Sequence, residues 1–129
     1  MSPAGARGYL LDTTALAALG TSRRMSTLIT AAPRLGLPLY APVTCIDAAD
    51  RIRSGIAAHI GRIPAVETLE LTYDQVLQLR EFAPTAALDV AHVISLARPS
   101  AAWPKGLIVA TVLPRLYAGH DLAVYSIGD

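Results

Sequence analysis

The sequence predicts an α/β fold, a three-layer α/β/α sandwich around a central parallel sheet of about five strands. Three observations lead to this prediction. Short apolar runs of strand character alternate with longer helical patterns along the whole chain. The 129 residues are 53% hydrophobic, which is enough for one domain with a buried core. No linker, internal repeat or low-complexity segment divides the chain, so we expect residues 1–129 to form a single domain.

Five segments have the length and composition of strands. The first, GYLLD at residues 8–12, is a short apolar run that Asp12 closes. The other four are LPLYAP at 37–42, AVETLEL at 65–71, GLIVA at 106–110 and DLAVYSI at 121–127. Because helical segments separate consecutive strands, we expect a parallel sheet that is covered on both faces.

Helical patterns fill the intervals between the strands. The predicted helices cover residues 13–20, 22–36 with a break near Pro33, 43–61, 72–82 and 85–97, with a short helical turn in 111–119. Thr72 and Gln75 stand at the spacing of a capping box. The helix at 85–97 is apolar on nearly every side, which predicts that it is buried.

Charge and cysteine content limit the classes of partner and compartment. The formal net charge of +1 does not indicate nucleic acid or a membrane surface, so an RNA partner would need a local patch. The single cysteine, Cys45, can form no internal disulfide and is expected to be a buried, inert thiol. Without a membrane-length apolar stretch or a signal-peptide pattern, a cytoplasmic protein with no membrane partner is expected.

Three aspartates interrupt the hydrophobic pattern. Asp12 closes a buried strand, Asp47 lies in the first turns of an otherwise apolar helix, and Asp89 comes early in the most hydrophobic helix. Each has a structural alternative: a helix N-cap for Asp12, an ion pair with Arg51 for Asp47, and a favourable helix dipole for Asp89. In a parallel sheet, however, the end of the first strand and the starts of the following helices face one crevice. Carboxylates that converge there repel one another, and Mg²⁺ or Mn²⁺ is the usual remedy.

Four segments carry a resemblance to a known family. They are YLLDTTALAAL, YAPVTCIDAADRI, LDVAHVISLA and LIVATVLPRLYA, and they occur in the order seen in PIN domains, particularly toxins of the VapC type. The resemblance covers residues 8–127, and the order and spacing of the motifs are more specific than any one of them. It implies a metal-dependent endoribonuclease fold with an acidic site at the carboxyl edge of a parallel sheet.

The resemblance also implies roles for individual residues. Asp12, Asp47 and Asp89 match acids that hold a divalent ion, Mg²⁺ or Mn²⁺, and act as the catalytic residues. Asp47 stands where the family usually has glutamate, and Asp50, three residues later, is an alternative for the second acid. The supporting hydroxyl residue of the family corresponds to Thr14.

Two further positions complete the comparison with the family. His92 follows Asp89 at a spacing of three residues, and a satisfied core or crevice histidine is the interpretation that fits it better than a catalytic one. The fourth acid of the family normally follows threonine in T-x-D-P. Here Thr111 is retained, and Leu113 stands in place of that acid.

Two functions follow as expectations. The first is a divalent-metal-dependent endoribonuclease, a hydrolase of the VapC toxin type, attenuated because Leu113 replaces the fourth acid. Its partners would be an RNA substrate, an antitoxin protein lying across the acidic crevice, and a second copy in a homodimer. The alternative is a catalytically inactive PIN-like module that binds a partner protein or RNA. Candidate phosphate contacts are Arg23, Arg24, Arg51 and Arg53.

Overall fold

The structure, a computed structural model, describes residues 7–128 and contains a five-stranded, entirely parallel sheet. The strands are β1 (Tyr9–Leu11), β2 (Leu39–Pro42), β3 (Val66–Leu69), β4 (Ile108–Thr111) and β5 (Val124–Ser126). Their order across the sheet is β3-β2-β1-β4-β5, and each neighbouring pair is parallel. Helices flank the sheet, so the predicted fold class is confirmed.

Within residues 7–128, six α-helices and one 3₁₀ turn connect the strands. The helices are α1 (Thr13–Ala17), α2 (Arg23–Arg34), α3 (Val43–Ile52), α4 (Ile56–Ile60), α5 (Tyr73–Phe82) and α6 (Leu88–Ala97), and the 3₁₀ turn is Pro114–Tyr117. The predicted capping box is confirmed, because Thr72 and Gln75 exchange both hydrogen bonds at the start of α5. The predicted burial of α6 holds from Ala91 onward except at Ser95, which is half-buried, whereas the first turn of the helix is partly exposed.

The single long helix predicted for residues 43–61 is wrong. The chain leaves the helix after Ile52, and Gly55 adopts a left-handed conformation with φ of 95° that starts the separate helix α4. The Asp50 carboxylate accepts hydrogen bonds from the backbone N–H groups of Gly55 (3.1 Å) and Ala57 (3.0 Å). This cap satisfies the exposed donors at the start of α4 and stabilises the break.

The two edges of the sheet have different surroundings. Because all strands run the same way, their carboxyl ends share one edge, where Asp12 follows β1 and Val112 follows β4. The opposite, amino edge carries the segments that lead into β1 and β4, which start side by side with Tyr9 paired to Ile108. Among the described residues, no helix combines the length and the apolar character that crossing a membrane requires.

Candidate functional site

Asp12 is held at the carboxyl edge by three hydrogen-bond donors from the chain itself. Its side chain caps α1 by accepting a bond from the Ala15 N–H at 2.9 Å, and the same oxygen accepts one from the Thr14 hydroxyl at 2.7 Å. The other oxygen, Oδ2, accepts a bond from the Tyr117 hydroxyl at 2.7 Å. Asp12 is only 2% exposed, so these donors replace the water that a buried carboxylate would otherwise need. They occupy three of its roughly four lone-pair positions.

The two threonines of the site form a continuous network with Asp12. Thr14 has one hydroxyl proton, which it donates to Asp12, so Thr111 is the donor in the 3.1 Å contact between the two hydroxyls. The Thr14 oxygen also accepts from the Val112 N–H at 2.9 Å, and the Thr111 oxygen accepts from the Leu113 N–H at 3.0 Å. The network therefore fixes the start of α1 against the end of β4 and the backbone of Leu113.

Tyr117 is the residue of this site that sequence reasoning missed. It lies in the 3₁₀ turn, four residues after Leu113, and is 3% exposed. Burial raises the pKa of its phenol, and the neighbouring Asp12 carboxylate raises this pKa further. The phenol therefore stays protonated and donates to Asp12. A signal was available, because a tyrosine within an apolar turn must find a partner for its hydroxyl when it is buried.

Asp89 lies in the first turn of α6, where it is half-buried, and it contacts the residue that follows Asp12. Its Oδ2 accepts a hydrogen bond from the Thr13 hydroxyl at 2.6 Å. Cys45, 0% exposed, places its Sγ 3.7 Å from the backbone oxygen of Asp89. Burial raises the pKa of the Cys45 thiol to about 12, and the charges of Asp12 and Asp89 act in the same direction. The thiol stays protonated, which confirms the expected inert cysteine and makes it a poor nucleophile or metal ligand.

Asp47 faces solvent, and the structural alternative of an ion pair with Arg51 is confirmed. Its side chain is 74% exposed and forms an ion pair with Arg51, with Oδ2 and Nε 3.4 Å apart. Asp47 and Asp89 nevertheless line one crevice, whose volume is about 370 Å³. The remaining walls are Val43, Thr44, Arg51, Leu71, Ala87 and Leu88. The crevice thus brings two of the three predicted acids together, while Asp12 lies in the hydrogen-bonded network and Asp50 caps α4.

His92 is a buried histidine that does not line the crevice but contacts Thr44, which does. It is 0% exposed, and its Nδ1 is 2.7 Å from the hydroxyl of Thr44, which lines the crevice. Its Nε2 has no hydrogen-bond partner within the described part of the chain. Desolvation lowers the pKa of His92 to about 4, opposed by an interaction with the backbone of Glu70. His92 is therefore neutral at pH 7, and it fits a positioning role for Thr44.

The four candidate phosphate contacts differ in what they bind within the chain. Arg51 pairs with Asp47, and Arg53 donates to the backbone oxygens of Ala17 and Leu19, capping the end of α1. Arg24 reaches the backbone oxygen of Ser126 at 3.4 Å. Arg23 lies exposed on the outer face of α2.

The side chains as arranged do not fit the Mg²⁺ or Mn²⁺ ion that the resemblance implies. Such an ion needs several oxygen ligands at one point. Asp12 already accepts three protein donors, Asp47 is paired with Arg51 in solvent, and Leu113 offers no oxygen from its side chain. Across residues 7–128, no three His, Cys, Asp or Glu side chains form a group that could hold a metal ion.

No family model matches the chain, and neither a curated protein nor a solved structure matches it.

Proposed function

We propose that this chain is a PIN-like module that does not cleave RNA and that holds a cationic segment of a partner protein in the crevice beside Asp47 and Asp89. The PIN-like part of the proposal rests on the four motifs in their order and on the parallel sheet that carries them. The observation that carries the non-cleaving part is the Asp12 carboxylate, whose oxygens are held by Thr14, Ala15 and Tyr117.

Two features of one segment support the proposal that Asp12 binds no metal ion. The turn that follows β4 has Leu113 where the resemblance implies an acid, and the same turn supplies the Tyr117 hydroxyl to Asp12. One residue therefore provides no oxygen from its side chain, and another provides a proton donor that competes with a cation for Asp12. Together they favour a structural role for the Asp12 carboxylate and disfavour metal binding by it.

The chemistry of the crevice favours a cationic side chain as its ligand. Asp47 and Asp89 repel a phosphate backbone and attract a guanidinium or ammonium group. Val43, Leu71 and Leu88 offer apolar walls for the methylene stem of an arginine or lysine. The exposed pair between Asp47 and Arg51 contributes little free energy, so an incoming arginine can replace Arg51 at low cost.

An arginine-containing peptide tests this proposal directly. We expect a short peptide with a central arginine to bind measurably in calorimetric titration, and the same peptide with glutamate at that position not to bind. Asp89→Asn should weaken binding about tenfold, which is the loss of one charge-assisted hydrogen bond. The matched control is Asp74→Asn, an exposed acid in the first turn of α5. Equal affinities for wild type and Asp89→Asn would contradict the proposal.

The attenuated VapC-type endoribonuclease is the second candidate. The specific observation in its favour is that Asp47 and Asp89 line the same crevice at the carboxyl edge. Structured RNA incubated with Mg²⁺ or Mn²⁺ separates the two candidates. Cleavage that disappears in Asp12→Ala supports the nuclease and overturns the non-cleaving module. The absence of cleavage at every metal concentration supports the module, and a gain of cleavage in Leu113→Asp would point to a weakened nuclease.

The remaining partners and the compartment also stay proposals. An antitoxin peptide is one cationic segment that could occupy the crevice, and a co-purified complex of defined stoichiometry would support it. We propose a homodimer on the family resemblance, and light scattering during size-exclusion chromatography tests it. A cytoplasmic location is supported by the buried, unpaired thiol of Cys45, which needs no oxidising compartment.

A further inference from the structure

The amino edge of the sheet, opposite the carboxyl edge that carries Asp12, contains a cavity with two cationic side chains. Because Tyr9 of β1 pairs with Ile108 of β4, the segments that precede these strands come together at this edge. They bring Arg7 and Lys105 to a cavity of about 250 Å³. The same two residues also line an adjoining cavity of about 430 Å³. The larger of the two falls in the size range of small-molecule sites.

Neither cation is neutralised within the described residues. Arg7 and Lys105 make no hydrogen bond or ion pair with any side chain or backbone group of residues 7–128. No described acid lines the smaller cavity, and Asp121, which lines the larger one, forms no ion pair with either cation. Two like charges that share a cavity repel each other, so a bound anion would stabilise this arrangement.

An aromatic surface completes the smaller cavity. Trp103, the only tryptophan of the chain, is half-buried there and packs on Tyr40 with ring centroids 5.3 Å apart. Its backbone oxygen accepts from the N–H groups of Ser100 (2.9 Å) and Gly106 (2.8 Å), and its own N–H donates to the Ser100 hydroxyl. Gly106 has φ of 76°, and a Cβ there would clash with the Ala97 oxygen. The loop is therefore held in one conformation before any ligand arrives.

We propose that Arg7, Lys105 and Trp103 form a nucleotide-binding site at the amino edge, in which the two cations hold a phosphate and the indole ring stacks on the base. A guanidinium and an ammonium group are the usual protein contacts for phosphate. Aromatic stacking accepts any base, because every base has a flat face. The ligand is a phosphorylated nucleoside, either free or as part of single-stranded RNA. The site is independent of the function proposed for the carboxyl edge.

The chain has a single tryptophan, so its fluorescence reports on this cavity alone. It is excited at a wavelength longer than those the bases absorb, so the nucleotide does not absorb the exciting light. We expect 5′-AMP to quench Trp103 in a saturable manner. Lys105→Gln and Arg7→Gln should each weaken this binding about tenfold, which corresponds to the loss of one charged hydrogen bond. Arg62→Gln removes an exposed cation that lines neither cavity and should bind 5′-AMP as the wild type does.

Two arms of the experiment distinguish the sources of the nucleotide. A single-stranded RNA pentamer that binds more tightly than 5′-AMP identifies RNA as the ligand, whereas a pentamer that binds no more tightly identifies a free nucleotide. Either result supports the site. The absence of saturable quenching by both ligands at millimolar concentration would overturn it. So would quenching that is equally strong in Lys105→Gln, because Lys105 is exposed and its substitution leaves the fold intact.

Discussion

Replacing Tyr117 with phenylalanine tests whether the chain itself, rather than a cation, holds Asp12. The substitution removes one hydroxyl and keeps the ring, so it leaves no large cavity at a residue that is 3% exposed. What is lost is a 2.7 Å hydrogen bond to a buried carboxylate. Hydrogen bonds to charged groups contribute about 1.5–3 kcal/mol, and we expect the free energy of unfolding to fall by about 2 kcal/mol.

Urea unfolding at pH 7, followed by far-UV circular dichroism, measures this change. The midpoint should fall while the slope stays constant, because the surface exposed on unfolding is nearly unchanged. Tyr73→Phe is the matched control, since Tyr73 is 76% exposed and its hydroxyl has no partner among the described residues. A loss in Tyr117→Phe of less than about 0.5 kcal/mol, the usual range for surface substitutions, would refute the reasoning.

A double-mutant cycle with Asp12→Ala separates this bond from other effects of the tyrosine. In the Asp12→Ala background, Tyr117→Phe should cost about 1–2 kcal/mol less than in the wild type. Asp12→Ala alone should destabilise the metal-free protein, because Asp12 caps α1 and accepts three hydrogen bonds. A cluster of repelling carboxylates predicts the opposite, since removing one charge would relieve the repulsion. Stabilisation by Asp12→Ala would therefore favour a metal site.

Three further predictions concern other parts of the molecule. His92 has a folded-state pKa of about 4, below the ordinary 6.5, so its contribution is complete above pH 6.5 and is lost as the pH falls towards 4. Unfolding titrations should show a loss of about 2–3 kcal/mol over that interval that is missing in His92→Leu. Gly106→Ala should cost about 1–3 kcal/mol of stability and shift the Trp103 emission, because φ is positive and the Cβ would contact the Ala97 oxygen. Asp47→Ala should change the unfolding midpoint by less than about 0.5 kcal/mol, since its ion pair is exposed.

Local patterns in the sequence were sufficient to predict the secondary-structure elements and their order along the chain. Alternating strand and helix patterns predicted the parallel sheet, because consecutive parallel strands require crossover helices. The capping box at Thr72 and the pair between Asp47 and Arg51 are short-range contacts that spacing alone predicts. The position of Asp12 at a strand end also followed from the sequence, since a strand that terminates in an acid places it at the carboxyl edge.

Only the tertiary structure decided what the acids contact. Tyr117 meets Asp12 across 105 residues and Thr13 meets Asp89 across 76, so each partner depends on how β1, α6 and the 3₁₀ turn pack together. Asp47 lies on the exposed face of α3. Which face of α3 is exposed depends on how the helix packs against the core. The sequence by itself thus determined the sheet and the edge where the acids collect. Packing decided that the Asp12 carboxylate is satisfied by hydrogen bonds. A buried carboxylate needs donors in place of water, and the tertiary structure determines which donors lie close enough.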